Sequence, residues 1–391
     1  MQGINILFSS DILARLGLII GLVFLFLLII YLIIRVAINY VKEAVLKTQS
    51  LNLSFFEIKV PQSNDVEIKA AEQMYSGLST ITDKLKGIAK YIGANTFVSF
   101  EVIAFKESIR FFVVCPKKIA AIVDRQINGT YPVAEIDSIK EYNLFKDEGS
   151  VAFGVLELDK ESKIPIQTFE ELPVDTIATL TDTLSKLEEG ESAAFQMVIS
   201  PVSSEWRSKV KQYLKKNREK PADEGDKDKP KPSSPKIDEE ALNMVDKKIS
   251  KPNFYTDVRV IVVSEDKQLG ESHLNNILST FNPFAKEGGN RFKKSKDKKL
   301  TKNVITDFIY RISRQAMVLN TAELATLFHL PNKNIKTPHI KWLLSKTAPS
   351  PDFVTSKFDD DYMYVGKNSH RGSAKRSEER RVGKECRSRW S

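Results

Sequence analysis

Nineteen consecutive residues near the N-terminus, Leu16 to Ile34, carry neither charge nor proline. A helix rises about 1.5 Å per residue, so this run matches the roughly 30 Å hydrocarbon core of a bilayer. A soluble helix of this length would show a polar face, and this run has none; its length also argues against a fully buried core helix. A cleaved signal peptide has a shorter apolar region ending at a small-residue site, whereas Arg35 and Tyr40 follow here. The pattern predicts a transmembrane helix over 16–38.

The charges that flank this run predict its orientation, because one basic residue, offset by an acidic one, precedes it and three basic residues follow it. They are Arg15 with Asp11 before the run, and Arg35, Lys42 and Lys47 after it. The positive-inside rule places the C-terminal side in the cytoplasm. We therefore expect a short extracytoplasmic tail (1–15), a juxtamembrane linker (39–50) and a single-pass protein of the inner (plasma) membrane. Cys115 is the only cysteine before the last dozen residues, and a single thiol cannot form a disulfide within the domain, which fits a cytoplasmic location.

Downstream, apolar residues alternate between strand-like and helix-like spacing in the order β-α-β-β-α-β. The predicted segments are strand 53–60, helix 67–86, strands 96–105 and 108–115, helix 117–127 and strand 131–136. This order is that of the split β-α-β, ferredoxin-like fold. We assign the first such unit to residues 51–138.

The same order recurs over 149–320. Its predicted strands are 151–158, 193–200, 257–264 and 315–320, and its predicted helices are 173–187, 203–216 and 270–280. Between the two middle strands, the proline- and charge-rich stretch around 217–238 predicts a disordered insertion. The predicted fold class is thus α+β, with an N-terminal transmembrane helix and two tandem ferredoxin-like units.

The last sixteen residues, 376–391, show no apolar period and no turn pattern. The codons AGA TCG GAA GAG CGT CGT GTA GGG AAA GAG, a short-read sequencing adapter, encode the first ten of them in order. We therefore interpret the segment as an artefactual tail and not as a disordered basic tail. Without its six basic and three acidic residues the net charge falls from +9 to +6. The natural gene is then expected to continue beyond Lys375.

Motifs for catalysis and metal binding are missing from the sequence. The Gly366-Lys367 and Gly383-Lys384 pairs lack the spaced glycine and the following Ser or Thr of a phosphate loop. No G-x-S-x-G is present. The four histidines, which include His273 and His329, are scattered without ligand spacing. The chain as it stands is predicted to be no enzyme and to hold no cofactor or metal.

One basic cluster, 291–302, follows Gly288-Gly289 and reads RFKKSKDKKLTK. It is a candidate flexible loop for phosphates of DNA or of anionic lipids, and a solvated linker is the alternative, since Phe292 is its only aromatic. The candidate contacts are Arg291, Lys293, Lys294, Lys296, Lys298, Lys299 and Lys302. A second group, Lys209, Lys211, Lys215 and Lys216, is predicted to form an exposed helix face without a specific partner.

The stretches VLNTAELATLFHLPN (318–332) and TPHIKWLLSKTAPSPDFV (337–354) are the most distinctive of the chain. They resemble the segment before the nucleotide-binding core of bacterial type IV secretion and conjugation ATPases, the TraG/TraD-like and HerA-like coupling proteins. The stretch 190–201 is similar to another strand region of that family. The stretch 362–372 is similar to the strand that comes next there, with four residues in matching places: Gly366, Asn368, Arg371 and Gly372.

The resemblance covers about residues 50–375. It implies the membrane-anchored N-terminal region of an ATPase that couples ATP hydrolysis to translocation of DNA or protein, with 321–375 leading to a missing ATPase domain. The family's Walker A lysine, Walker B acid and arginine finger have no counterpart here, so ATP and Mg²⁺ are implied only for that domain. It also implies a homo-oligomer, a hexamer, with secretion-channel proteins and possible DNA as partners.

Two other interpretations remain open. One is a non-enzymatic single-pass membrane scaffold that binds a partner protein. The other is a nucleic-acid-binding module that uses the basic loop at 291–302.

Overall fold

The computed structural model describes residues 10–50, 52–81, 96–145, 149–218, 239–344, 362–370 and 373–380. The chain divides into two compact units. The first comprises Met1–Leu51 and Lys84–Asn95, and the second comprises Asn52–Asp83 and Thr96–Ser391. Of the insertion predicted to be disordered, the part from 219 to 238 lies outside the described residues.

The first unit contains a long helix, α1 (Ser10–Ser50). Within its stretch Arg15–Val41, a window of 18 residues has a mean hydropathy of 3.2, and none of that window is buried. By length and composition this stretch is long enough to cross a bilayer, although a signal sequence meets the same criteria. The predicted apolar N-terminal helix is therefore confirmed.

The second unit is α+β, as predicted. The strands of its main sheet are β1 (Leu53–Lys59), β2 (Val98–Phe105), β3 (Ser108–Pro116), β4 (Glu135–Ile139), β5 (Ser150–Leu158), β6 (Ser192–Pro201), β7 (Asn253–Ser264), β8 (Phe292–Lys294) and β9 (Met317–Asn320). Its helices are α2 (Ile68–Leu78), α3 (Ala120–Thr130), α4 (Thr176–Leu184), α5 (Ser204–Arg218), α6 (Glu239–Ser250), α7 (Lys267–Ser279), α8 (Lys298–Thr301), α9 (Val304–Ile309) and α10 (Thr321–Leu327). Short 3-10 turns occupy Lys117–Ile119 and Asn282–Phe284.

The strands form one antiparallel sheet in the order β4-β1-β3-β2-β6-β7-β5-β8, and β9 pairs with β7. The two halves of this order meet where β2 pairs with β6, with Val98 opposite Ile199 and Phe105 opposite Ser192. This pairing fills one edge of each half. The segments predicted as two units, 51–138 and 149–320, therefore share one continuous sheet.

The strand predicted at 315–320 is present as β9, but it pairs with β7 and not with β5. The reason is the length of β7, because only its Val258–Ser264 part faces β5 and the backbone of Asn253–Thr256 is left for β9. The position beside β5 is filled by β8, which lies in the segment predicted as a flexible basic loop. β8 is held there by three residue pairs with Leu156–Leu158.

Strand side chains alternate between the two faces of the sheet. On β2, Val98, Phe100, Val102 and Ala104 belong to the main hydrophobic core, to which α2, α3, α4, α7 and α10 also contribute. These helices cover that face. The intervening residue Ile103 points to the opposite face, where a smaller apolar cluster includes residues of β3, β6, β7 and α9.

Helix α6 is not among the predicted elements, although its sequence carries the signal. Leu242, Val245 and Ile249 recur at helical spacing and are buried. Acidic residues occupy the first turn and basic residues the last, as the helix dipole favours. Helices α8, α9 and α10 are also additions to the predicted set, and they are short enough to fall below a clear periodic signal.

A separate hairpin follows, in which β10 (Tyr362–His370) pairs antiparallel with β11 (Ser373–Arg380). β10 corresponds to the strand predicted at 362–372. β11 contains the first five residues of the predicted artefactual tail, and 381–391 lie outside the described residues. A hairpin ladder needs only backbone groups, so this pairing does not bear on the origin of the tail.

Candidate functional site

A row of polar side chains crosses the centre of the sheet on the face opposite the main core. Glu101 of β2 lies opposite Gln196 of β6, and Gln196 lies opposite Arg259 of β7. Their exposed fractions are 0%, 0% and 1%. Gln196 donates through Nε2 to Glu101 Oε1 at 2.9 Å and accepts through Oε1 from Arg259 Nη1 at 2.9 Å. Since β2 and β6 meet where the two halves join, side chains as well as backbone link the halves.

The loop after α9 covers Glu101. Arg311 in this loop has a left-handed φ of 52°, and it donates from Nε to Glu101 Oε1 at 3.2 Å and from Nη1 to the exposed Glu141 at 2.6 Å. The hydroxyl of Ser99 donates to Glu101 Oε1 at 2.6 Å, and the hydroxyl of Tyr142 donates to Oε2. Both oxygens of the Glu101 carboxylate are therefore occupied by donors.

Two further carboxylates fix the same loop. Asp257 accepts from Ser313 Oγ at 2.7 Å and from the backbone amides of residues 314–316 at 3.0, 3.1 and 3.1 Å. Asp307 forms a two-point ion pair with Arg314, at 2.7 and 2.6 Å. A left-handed residue such as Arg311 costs roughly 1–2 kcal/mol. These contacts offset that cost and hold the loop against the sheet.

The network stays charged although it is buried. Burial alone would raise the pKa of Glu101, but the Arg311 guanidinium and the hydrogen bonds from Ser99 and Tyr142 hold that pKa below its ordinary value. Burial would likewise lower the pKa of Arg311, and Glu101 raises it instead. Glu101 is thus an ionised, fully paired carboxylate and is not placed to accept a proton from a bound molecule. Its role is to join the two halves of the sheet.

This buried polar network was not predicted from the sequence, although each of its three strands contains a polar residue that interrupts an apolar run. Glu101 interrupts the apolar run VSFEVIAF, Gln196 interrupts SAAFQMVISP, and Arg259 interrupts DVRVIVVS. A charged or amide side chain within a largely apolar strand indicates a buried polar contact. Which residues are partners depends on strand pairing, and the sequence alone does not contain that information.

Replacing Glu101 with Gln is expected to lower the free energy of unfolding by about 3–5 kcal/mol near neutral pH, because the buried Arg311 loses its counter-charge. The folded-state pKa of Glu101 lies below its unfolded value. The carboxylate therefore contributes stability above the unfolded pKa of about 4.3, and this contribution is lost as the pH falls through the folded value.

Urea unfolding of both proteins as a function of pH tests this expectation. The difference in free energy of unfolding between wild type and Glu101→Gln should be largest at about pH 7 and should shrink below about pH 4. Glu189→Gln is the matched control, because that carboxylate is 88% exposed and pairs with Lys106, which is itself exposed. A difference that does not change with pH would contradict the assigned role of Glu101.

The stretch 318–332, which carries the family resemblance, forms the end of β9, the whole of α10 and the turn after it. Every residue in it is buried. Asn320 caps α10 by accepting from Glu323 N at 2.9 Å, and Glu323 Oε2 accepts from Asn320 N at 2.7 Å, which is a capping box. The other Glu323 oxygen accepts from Ile166 N at 2.9 Å. Lys248 of α6 lies 3.1 Å from Glu323, and both side chains are 0% exposed.

The turn after α10 contacts helices of both halves. The carbonyl of Phe328 accepts from the Tyr75 hydroxyl of α2 at 2.9 Å. His329 Nε2 lies 3.1 Å from Asp175, the N-cap residue of α4, and His329 Nδ1 lies 2.9 Å from the Ala325 carbonyl. Burial would raise the pKa of Asp175, but the hydrogen bond to His329 lowers it. The motif therefore packs the helices of both halves onto the sheet.

The predicted basic loop is an edge strand followed by the short helix α8. Arg291 and Lys293 lie 3.1 and 3.4 Å from the carboxylate of Asp159, and Lys293 is also 3.6 Å from Glu157. Hydrogen bonds from Lys293 and Arg291 lower the pKa of Asp159. Two of the seven candidate phosphate contacts are therefore paired with carboxylates of β5 and the residue after it.

The remaining candidates lie on the same edge of the sheet. Lys294, Lys296, Lys298 and Lys302 are exposed and form no ion pair with any residue in the described ranges. For Lys299 the structure describes the backbone only. These residues are available to an anionic partner, and the binding of one stays a prediction.

Ser264, Glu191 and His273 lie close together, but not as a nucleophile with its base. Ser264 Oγ donates to Glu191 Oε1 at 3.0 Å, and His273 Nε2 lies 3.3 Å from Glu191 Oε2. The acid thus binds both groups, whereas an activated serine requires a hydrogen bond to the histidine. Within the described part of the chain, no cluster of His, Cys, Asp and Glu is arranged to hold a metal ion.

Cys115 of β3 is fully buried, and burial raises its pKa to about 12. Because the thiolate is the reactive form, Cys115 is expected to resist N-ethylmaleimide in the native protein and to react in urea. Mass spectrometry of a Cys386→Ser variant would measure this. Gln212→Cys, on the exposed side of α5, is the reactive control, and rapid native labelling of Cys115 would contradict the expectation.

These features define the second unit as an antiparallel α+β domain whose two halves are held together by buried charges and by a buried helix. Residues 41–343 match the family model described as Domain of unknown function (DUF8128). The match covers most of the chain, and the protein belongs to this family. A search of curated proteins finds no match to the chain.

Proposed function

We propose that this protein is the membrane-anchored platform of a type IV secretion or conjugation ATPase of the coupling type. In this proposal α1 crosses the inner membrane, and the sheet domain stands on the cytoplasmic side between the membrane and a motor domain. The observation that carries it is the position of the two ends of the chain segment that forms the domain. They lie at opposite ends of β1.

The chain reaches the domain at Asn52, next to Leu53, where β1 begins. At the other end of β1, the carbonyl of Val60 accepts from Leu343 N at 2.9 Å. The eight residues from Leu53 to Val60, at about 3.3 Å each, separate these points by roughly 23 Å. We refer to them as the Asn52 end and the Leu343 end. A domain that receives the chain at one end and releases it at the other is suited to act as a spacer in series.

The strand order supports the ferredoxin-like part of the proposal. In the first half, β4-β1-β3-β2 is the order of a split β-α-β unit, with α2 and α3 as its two crossing helices. In the second half, β8-β5-β7-β6 is the same order, with α4 and α7 as the crossing helices. We propose that β8 is the last strand of the second unit and that β9 with α10 is an addition after it.

Uninterrupted genomic sequence past Lys375 tests the motor. We expect an open reading frame that contains G-x-x-x-x-G-K-[ST] within a few tens of codons, since a phosphate loop opens such a nucleotide-binding core and its ATP and Mg²⁺ site. The N-terminal domain would then work as part of a homo-oligomer, a hexamer by resemblance, at a secretion channel. An in-frame stop there would overturn the motor and leave a non-enzymatic membrane scaffold that binds a partner protein.

A second candidate function, nucleic-acid binding at the basic edge, is favoured by the exposure of its four unpaired lysines. Replacing Lys294, Lys296, Lys298 and Lys302 with Gln should then weaken DNA binding and flatten its dependence on salt. The slope of log K against log salt should fall by about 0.9 for each lost phosphate contact to duplex DNA. Fluorescence anisotropy with a labelled duplex would measure this, and an unchanged affinity and slope would remove this function.

A further inference from the structure

Helix α5 is the most basic element of the sheet domain. It carries six basic side chains and a single acidic one, Glu205. Arg207, Lys209, Lys211 and Lys216 are exposed, and none of them forms an ion pair with a residue that the structure describes. By contrast, Arg218 at the end of the helix lies 3.1 Å from Asp246. The middle of α5 therefore presents uncompensated positive charge to solvent.

The strand register places the start of α5 at the Asn52 end of the domain. Phe55 lies opposite Val114, Val114 opposite Ser99, and Ser99 opposite Val198. These four residues form one row across the sheet, and β1 and β6 run in opposite directions. Asn52 lies three residues before Phe55 and the end of β6 lies three residues after Val198, so both lie on the same side of this row. Three strand spacings of about 4.8 Å separate β1 from β6, a lateral distance of roughly 14 Å.

Apolar side chains on one side of α5 pack against neighbouring elements. Val210 and Leu214 pack against Leu242, Val245 and Ile249 of α6. Lys163 lies 3.7 Å from the centre of the Tyr213 ring, in the loop that follows β5 at the same end of the sheet. The basic side chains are thus directed away from a fixed apolar side. A further basic residue, the exposed Lys117, donates its backbone N–H to the Asn52 carbonyl at 3.1 Å.

We propose that the basic side of α5 binds anionic phospholipid headgroups of the membrane that α1 crosses. This inference rests on the proposed membrane role of α1. It follows from the positive charge at the end where the chain arrives from an apolar helix, since an anionic leaflet attracts basic segments within about a Debye length.

Nucleic acid is the less suitable partner for this surface. Single-stranded nucleic acid binds where aromatic side chains accompany the basic ones. Both aromatic residues of α5, Trp206 and Tyr213, pack against the α5–α6 cluster and are not fully exposed. The basic edge at β8 consists of other residues, on a strand that lies three strands from β6, after which α5 begins.

The test uses the full-length protein in lipid nanodiscs made of phosphatidylcholine with or without phosphatidylserine. A fluorophore on Gln212→Cys, in a Cys386→Ser background, reports contact with a quencher attached to lipid headgroups. The quenched fraction should be larger with phosphatidylserine and should fall with added salt, because the interaction is electrostatic. Each lysine near an anionic leaflet contributes about fivefold, so a triple change to Gln should weaken docking about a hundredfold. The triple variant is Lys209→Gln, Lys211→Gln and Lys216→Gln.

A triple variant at the Leu343 end is the matched control, because it removes the same charge from exposed side chains and should leave docking unchanged. It combines Lys333→Gln, Lys336→Gln and Lys341→Gln. Equal quenching in both lipids, or no effect of the α5 triple variant on quenching, would overturn the inference. It would also be overturned if the fluorophore on α5 responded only to an added DNA oligonucleotide and not to phosphatidylserine. Extraction of the protein by alkaline carbonate would instead refute the membrane role of α1, so the two failures are distinguishable.

Discussion

The pairing of β2 with β6 is the constraint on which the rest of the domain depends. It brings the free edges of two four-stranded halves together and places Glu101 and Gln196 side by side at the centre of the sheet. A carboxylate buried at this position requires a counter-charge, which Arg311 supplies from a loop held by Asp257 and Asp307. The path of the chain between α9 and β9 therefore follows from one strand pairing. A charged junction also disfavours any other register, because a shift by one residue would place Glu101 in the apolar core.

The motif at 318–332 acquires a physical meaning from this arrangement. It resembled a segment of translocating ATPases, and its residues turn out to be buried and engaged in packing. Asn320 and Glu323 cap a helix that reaches α6, while His329 reaches α4. These contacts account for the apolar and capping residues of the segment in structural terms.

The two ends of the domain along β1 differ, and this difference connects the fold to the proposals. The chain arrives at the Asn52 end from an apolar helix, and the segment that follows the motif reaches the opposite end through Ile340 and Leu343. The α5–α6 pair and its positive charge lie at the Asn52 end. Uncompensated charge at one end of the domain suits the proposed contact with a membrane, whereas the buried networks join the two halves of the sheet and hold the loop before β9.

Local pattern determined much of this protein. The apolar run that became α1, the strands β5, β6 and β7, and helix α5 follow from hydrophobic spacing, which is a property of neighbouring residues. The pairing of β9 with β7 does not follow from local pattern, because it depends on how far β7 extends past β5. The strand β8 does not follow from local pattern either. Its basic sequence is typical of a loop, and it forms a strand because it pairs with the free edge of β5. The counter-charge of Glu101 lies 210 residues away at Arg311, and only the tertiary structure decides contacts at that separation.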